Sequence, residues 1–132
     1  MYNNDVTIRK TSYTAPREIK ASAHFAYIDR GITLDGSKFT AGELILEGTC
    51  LVKDDVTGKY EKYADAAGPA WPAGKSNPVI LDESIKLPVD DAGDNVDVTA
   101  GQVLVHGAVI EGMLIGCTAL FKDALKGAIR FA

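Results

Sequence analysis

A chain of 132 residues, 46% of them apolar and with a formal net charge of −4, has room for one domain around a single core and enough apolar content to exclude wholesale disorder. No apolar run approaches the roughly 20 residues that cross a bilayer, and the opening MYNNDVTIRK lacks the apolar stretch of a secretory signal, so no membrane association and a cytosolic pool are expected. The charge is uneven: Arg9, Lys10, Arg17 and Lys20 face only Asp5 and Glu18 in residues 1–20, leaving an acidic body. That distribution argues against nucleic acid and suits a short basic arm docking on an acidic protein surface.

Residues 1–20 are polar and show neither helical nor strand periodicity, so 1–22 reads as an extended N-terminal arm ahead of a single β-rich domain over 23–132. Within it, VTIRK (Val6, Thr7, Ile8, Arg9, Lys10), with Tyr13 close by, is the candidate binding segment, able to add as a strand to a partner's sheet edge. AHFAYID (23–29) alternates as a strand, with Phe25 and Tyr27 on one face. ITLDG (32–36) and FTAGELILEG (39–48) follow, with bends at Asp35-Gly36 and Ala41-Gly42. ELILEGTCLVK (43–53) reads as a strand buried on both faces, and DDVTGKYEKY (54–63) as a hairpin turning at Thr57-Gly58. The breakers in DAAGPAWPAGKSNP (65–78) predict a surface loop without regular structure, anchored by Trp71.

PVILDESIKLPVD (78–90) reads as a strand broken at Pro88, and VDDAGDNVDV (89–98) as an acidic excursion. VTAGQVLVHGAVIEG (98–112) gives strand, glycine, strand. CTALFKDALKGAIRFA (117–132) has helical spacing, with Thr118 as N-cap and Gly127 near the helix end. The expected class is therefore mainly β, compact, with a short C-terminal helix and an extended N-terminal arm.

Little in this pattern assembles a reaction. His106 with Glu111 is the one candidate acid–base pair, but strand alternation makes His106 a packed or interfacial residue, and His24 has no better case. Cys50 and Cys117, in apolar surroundings, read as buried free thiols, and no CxxC or Cys/His cluster points to zinc. Asp90, Asp91, Asp94 and Asp97 miss calcium-loop spacing, and the glycines miss GxGxxG. No catalytic, cofactor or metal residues are expected, and a binding or structural role follows. The aromatics Tyr60, Tyr63 and Trp71 motivate an alternative, a tail-tube or carbohydrate-binding β domain.

Four segments in order carry a resemblance: Ala41-Gly42 with Leu44, Val79-Ile80-Leu81-Asp82-Glu83, VLVHGAV over Val103–Val109, and the terminal Gly127–Phe131 ending in IRF. In order and spacing they resemble the head decoration (head-stabilising) proteins of tailed bacteriophages, the lambda D type, over about residues 32–132. The resemblance implies a compact β-clip-like fold and a homotrimer on the outside of the expanded capsid. There it would clamp neighbouring major capsid proteins against the pressure of packaged DNA, its N-terminal arm pairing with capsid-protein segments. It also implies no catalysis, and a life on the virion surface after assembly from the host cytoplasm.

Overall fold

A computed structural model describes residues 18–132. The domain is mainly β, with one short helix near the C-terminal end. Its strands are β1 (Ala26–Tyr27), β2 (Ile32–Leu34), β3 (Leu44–Ile45), β4 (Cys50–Asp54), β5 (Tyr60–Lys62), β6 (Lys75–Leu81), β7 (Ile85–Lys86), β8 (Val98–Ala100), β9 (Val103–Val109) and β10 (Ile129–Phe131); helix α1 is Ala119–Leu125. One curled sheet runs β10-β9-β6-β4-β5-β2-β8, with β1 also pairing with β9, and β3 pairs with β7 as a separate ribbon. The pairs are antiparallel except β9 with β10 and β2 with β5.

Strand alternation splits the core in two. Leu51 of β4, Val79 and Leu81 of β6 and Val103 of β9 point into one layer, with Leu34, Ile45 and Leu87. Their neighbours Cys50, Val52, Ile80 and Leu104 point into the other, against Phe121 and Leu125 of α1, Ile19 and Ile129. The central strands are thus buried on both faces, as expected for Cys50–Val52.

The predicted continuous strand over 43–53 is instead two strands, β3 and β4, broken at Gly48. There φ is +93° and an added Cβ would sit 2.6 Å from the carbonyl oxygen of Met113, so the chain turns sharply where another segment crosses it closely. The hairpin at Thr57-Gly58 is present: Gly58 has φ +74°, and β4 pairs with β5 on either side. Within 65–78 the expectation of no regular structure fails, since β6 begins at Lys75. Asn77 (φ +50°) and Pro78 fall where the β4–β6 register shifts between Leu51 and Lys53, a bulge that absorbs the proline without asking it for a ladder hydrogen bond. Trp71 does anchor this loop: its ring packs on the helix-side layer, and its Nε1 donates to the Lys75 carbonyl at 2.8 Å.

The strand over 78–90 breaks earlier than Pro88, because β6 ends at Leu81 and β7 holds only Ile85–Lys86. The acidic excursion is tied down by Asn95. Its Nδ2 donates to the carbonyls of Gly36, Phe39 and Thr40, while its Oδ1 accepts from Gly42 N–H at 2.7 Å. At the C-terminal end Thr118 is the N-cap, accepting from Phe121 N–H at 3.3 Å. Asp65 in turn accepts from Thr118 at 2.9 Å and from the Tyr63 hydroxyl, fixing the helix start to the segment just after β5. The helix is shorter than its spacing predicts: it stops at Leu125, Gly127 takes φ +96°, and IRF is not helix but strand β10, paired in parallel with Gly107–Val109 of β9.

Candidate docking edge at the arm root

Residues 19–28 form the margin of the sheet, running antiparallel along β9. Ile110 N–H donates to the Ile19 carbonyl at 2.7 Å, Ala21 N–H to Ala108 at 2.9 Å, and Ile28 N–H to Val103 at 2.8 Å. Lys20 bridges to Val109, and β1 pairs Ala26 with His106 and Tyr27 with Leu104. The predicted strand over 23–29 is therefore only the two-residue β1, and the pairing resumes further upstream. Between them Ser22–Phe25 stand opposite Gly107 alone, so the chain bulges away from β9 there; a separate register irregularity lies within the β1 pairing, between Leu104 and His106.

Two anchors hold this segment. The first is apolar: Ile19 is fully buried in the helix-side layer. The second is polar. Asp82, its side chain 1% exposed, accepts from Lys20 Nζ at 2.7 Å and from the Tyr27 hydroxyl at 2.6 Å on the same oxygen, Oδ2, while Oδ1 has no partner among the described residues. Burial pulls the Lys20 ammonium down, and the hydrogen bond and charge of Asp82 outweigh it, holding the group at about 12. Burial first, then the same carboxylate, push the Tyr27 hydroxyl up to about 12. Lys20 also stands 5.0 Å over the Phe25 ring, which tilts against Tyr27 at 5.1 Å. The result is a strand-like segment pinned at both ends to the body, with no further strand paired on its other side among the described residues.

The candidate arm residues Val6, Thr7, Ile8, Arg9, Lys10 and Tyr13 lie outside the described residues, as does most of the stretch 1–22; its last four residues, 19–22, belong to the edge just described. His106 is exposed on β9, and Glu111 sits in a short 3-10 turn with its carboxylate 2.7 Å from Lys122 Nζ. Tyr60 and Tyr63 are buried in opposite layers, and Trp71 stacks at 5.0 Å on Tyr63 alone, so the three do not form one exposed aromatic face. Among the acidic residues, Asp90 accepts from the Ala92 and Asp94 N–H groups of its own loop, and Asp97 pairs with Lys59 at 2.6 Å.

Cys50 and Cys117, distant in sequence, meet in space: Cys50 N–H donates to Ile115 at 3.0 Å, and the two thiols interact. Burial pushes both thiols upward, with Cys117 adding to the effect on Cys50. The Asp82 cluster is invisible in the sequence because its members lie 55 and 62 residues apart.

A cleft of about 490 Å³ lies between residues 36–41 and 93–95, and Asp94 is the one titratable side chain that lines it. Among the described residues no helix is long and apolar enough to cross a membrane. Set against family models, curated proteins and solved structures, the chain matches none of them. Fold and site together define a class by architecture: a mainly β domain with one short helix, whose N-terminal segment is docked as the sheet's edge strand.

Proposed function

We propose that this protein is a head decoration protein of a tailed bacteriophage. It binds the outside of the expanded capsid as a homotrimer and stabilises the shell against packaged DNA. Its partners are the major capsid protein and itself, its role is structural rather than enzymatic, and it needs no cofactor. The docked edge segment is the observation that carries this reading. An arm that is to clamp a neighbouring protein needs a fixed root, and residues 19–28 provide one a short distance after the candidate strand-forming residues 6–10. The resemblance supports it as well, because three of its four segments are the neighbouring strands β6, β9 and β10 and so trace one structural unit.

An arm that pairs with a capsid-protein edge gains main-chain hydrogen bonds and loses chain entropy. A trimer offsets that cost by linking three weak contacts into one avid attachment. Preference for expanded capsids follows if only the expanded lattice presents the receiving edge.

Co-sedimentation of the full chain with expanded and unexpanded capsids tests this, with binding to expanded capsids expected and absence of binding to both overturning it. A version lacking residues 2–17, which keeps Ile19 and Lys20, is expected to bind more weakly. Undiminished binding by that version would remove the arm from the mechanism.

A further inference from the structure

The chain has two histidines, and the fold brings both to one cleft. About 360 Å³ in volume, it is lined by Ser22 and His24 from the bulge, His106 and Gly107 from β9, and Arg130 from β10. A second cleft of about 370 Å³ continues from it over His106, Gly107 and Arg130 towards Ile129. Three elements far apart in sequence thus supply an arginine and two imidazoles to one surface, and no acidic side chain lines either cleft. Arg130 is the one charged side chain among the lining residues of the first cleft, which Ala21, Ala108 and Ala132 complete.

The convergence is built into the backbone. Gly107 has φ +143°, and a Cβ there would lie 3.0 Å from Phe25 Cβ and 3.2 Å from the His24 carbonyl oxygen. Only a residue without a side chain lets the Ser22–Phe25 bulge lie this close to β9 and carry His24 beside His106. Ser22 Oγ accepts from His24 N–H at 3.1 Å, which shapes the bulge and leaves the hydroxyl hydrogen free to donate. Among the described residues, no hydrogen bond or ion pair engages the Arg130 guanidinium or either imidazole. The arginine supplies a planar fork suited to two oxygens of one anion, and the two imidazoles and the serine hydroxyl supply further donors on the same cleft.

We infer that this cleft is an oxyanion-binding site, with Arg130 as the principal donor and His24, His106 and Ser22 completing the ring. The ligand chemistry is that shared by a phosphate group and a carboxylate: charged oxygens accepting several hydrogen bonds at once. The cleft lies at the docked edge itself, where Ala21 pairs with Ala108, but its ligand chemistry does not depend on the proposed attachment to capsids.

NMR titration of the isotopically labelled full chain, at constant ionic strength, tests it with inorganic phosphate in one arm, citrate in another and chloride as control. Saturable shifts centred on the His24, His106 and Arg130 side chains are expected, with dissociation constants on the order of millimolar. Saturation by phosphate alone assigns a phosphate ligand, by citrate alone a carboxylate, and by both a general oxyanion site. Arg130 is exposed, so Arg130→Gln is expected to keep the native spectrum while weakening binding by about tenfold; Arg130→Lys is expected to fall between. Linear, non-saturating shifts in both arms, or equal affinity in the Arg130→Gln protein, overturn the inference.

Discussion

The two apolar layers on either side of β4, β6 and β9 are closed by different means. One is closed by the sheet itself, which curls so that β2, β5 and β8 bring Ile32, Leu34, Tyr60 and Ala100 over Leu51 and Val103, with Ile45 of β3 and Leu87 just after β7 adding to it. All of these come from residues 32–103. The other is closed by segments near the two ends of the described chain, Ile19 on one side and Phe121, Leu125 and Ile129 on the other. The first layer is therefore a property of the sheet, while the second couples the arm root to the C-terminal helix.

Mutation can break that asymmetry. Phe121 is fully buried and its ring lies 5.1 Å from Tyr63, so Phe121→Ala is expected to cost about 4 kcal/mol in urea-monitored unfolding, the largest of the expected effects. Ile19→Ala is expected to cost about 3 kcal/mol, a large penalty for a residue so near the arm. A loss below about 0.5 kcal/mol would show that the root is not part of the cooperative fold.

The polar anchor comes next. Asp82→Asn leaves the shape and removes the charge facing Lys20 and Tyr27, at an expected cost of about 2 kcal/mol, reduced from that of a fully buried pair because Lys20 keeps contact with water. Its pH dependence has a definite sign. Lys20 and Tyr27 both hold their protons more tightly in the folded state, at about 12 against ordinary values of 10.5 and 10.0. Their contribution is complete below about pH 10 and is lost as pH rises towards 12. Tyr63, pushed up to about 12 by burial and then by Asp65, adds to the same alkaline loss. Asp82→Asn is therefore expected to flatten the fall in stability between pH 10 and 12 without abolishing it. A slope unchanged from the parent protein would mean the cluster contributes nothing to it.

Gly107→Ala tests the bulge at the same edge. Its φ of +143° and the 3.0 Å approach to Phe25 predict a cost of about 1–2 kcal/mol, with amide shifts concentrated in residues 22–27.

Legibility in the sequence follows whether the cause is local. The double burial of Cys50–Val52, the Thr57-Gly58 turn and the Thr118 cap all follow from a few adjacent residues and are present in the fold as expected. The break at Gly48 is hidden because its cause is the carbonyl of Met113, far along the chain. Residues 127–131 look helical because Ala128 falls in phase with Phe121, Ala124 and Leu125, yet pairing with β9 outweighs a helix already ended by Gly127. Residues 6–10 lie outside the described residues, and at the described edge the anchors at Ile19 and Lys20 are not legible. Nothing local marks an isoleucine in a polar segment as core, or pairs Lys20 with an aspartate just beyond β6. For the same reason His24 and His106 each look uninformative alone, and only the register of β1 on β9 places them together.

The smallest effect concerns chemistry rather than stability, and it reads the two layers separately. Cys50 is buried in the helix-side layer and Cys117 is half-buried beside it, and burial disfavours both thiolates. With a thiol-specific disulfide reagent at neutral pH, Cys117 is expected to react slowly and Cys50 only when the layer opens. Comparing Ile19→Ala with Leu34→Ala, a cut of similar size in the curled layer, then separates local from global opening. If the helix-side layer opens by itself, Ile19→Ala accelerates Cys50 labelling more than its stability loss predicts, whereas Leu34→Ala accelerates it only in proportion to global unfolding. Equal acceleration at equal stability loss would mean the two layers open as one unit, with Ile19 belonging to the global core rather than to a separately opening layer.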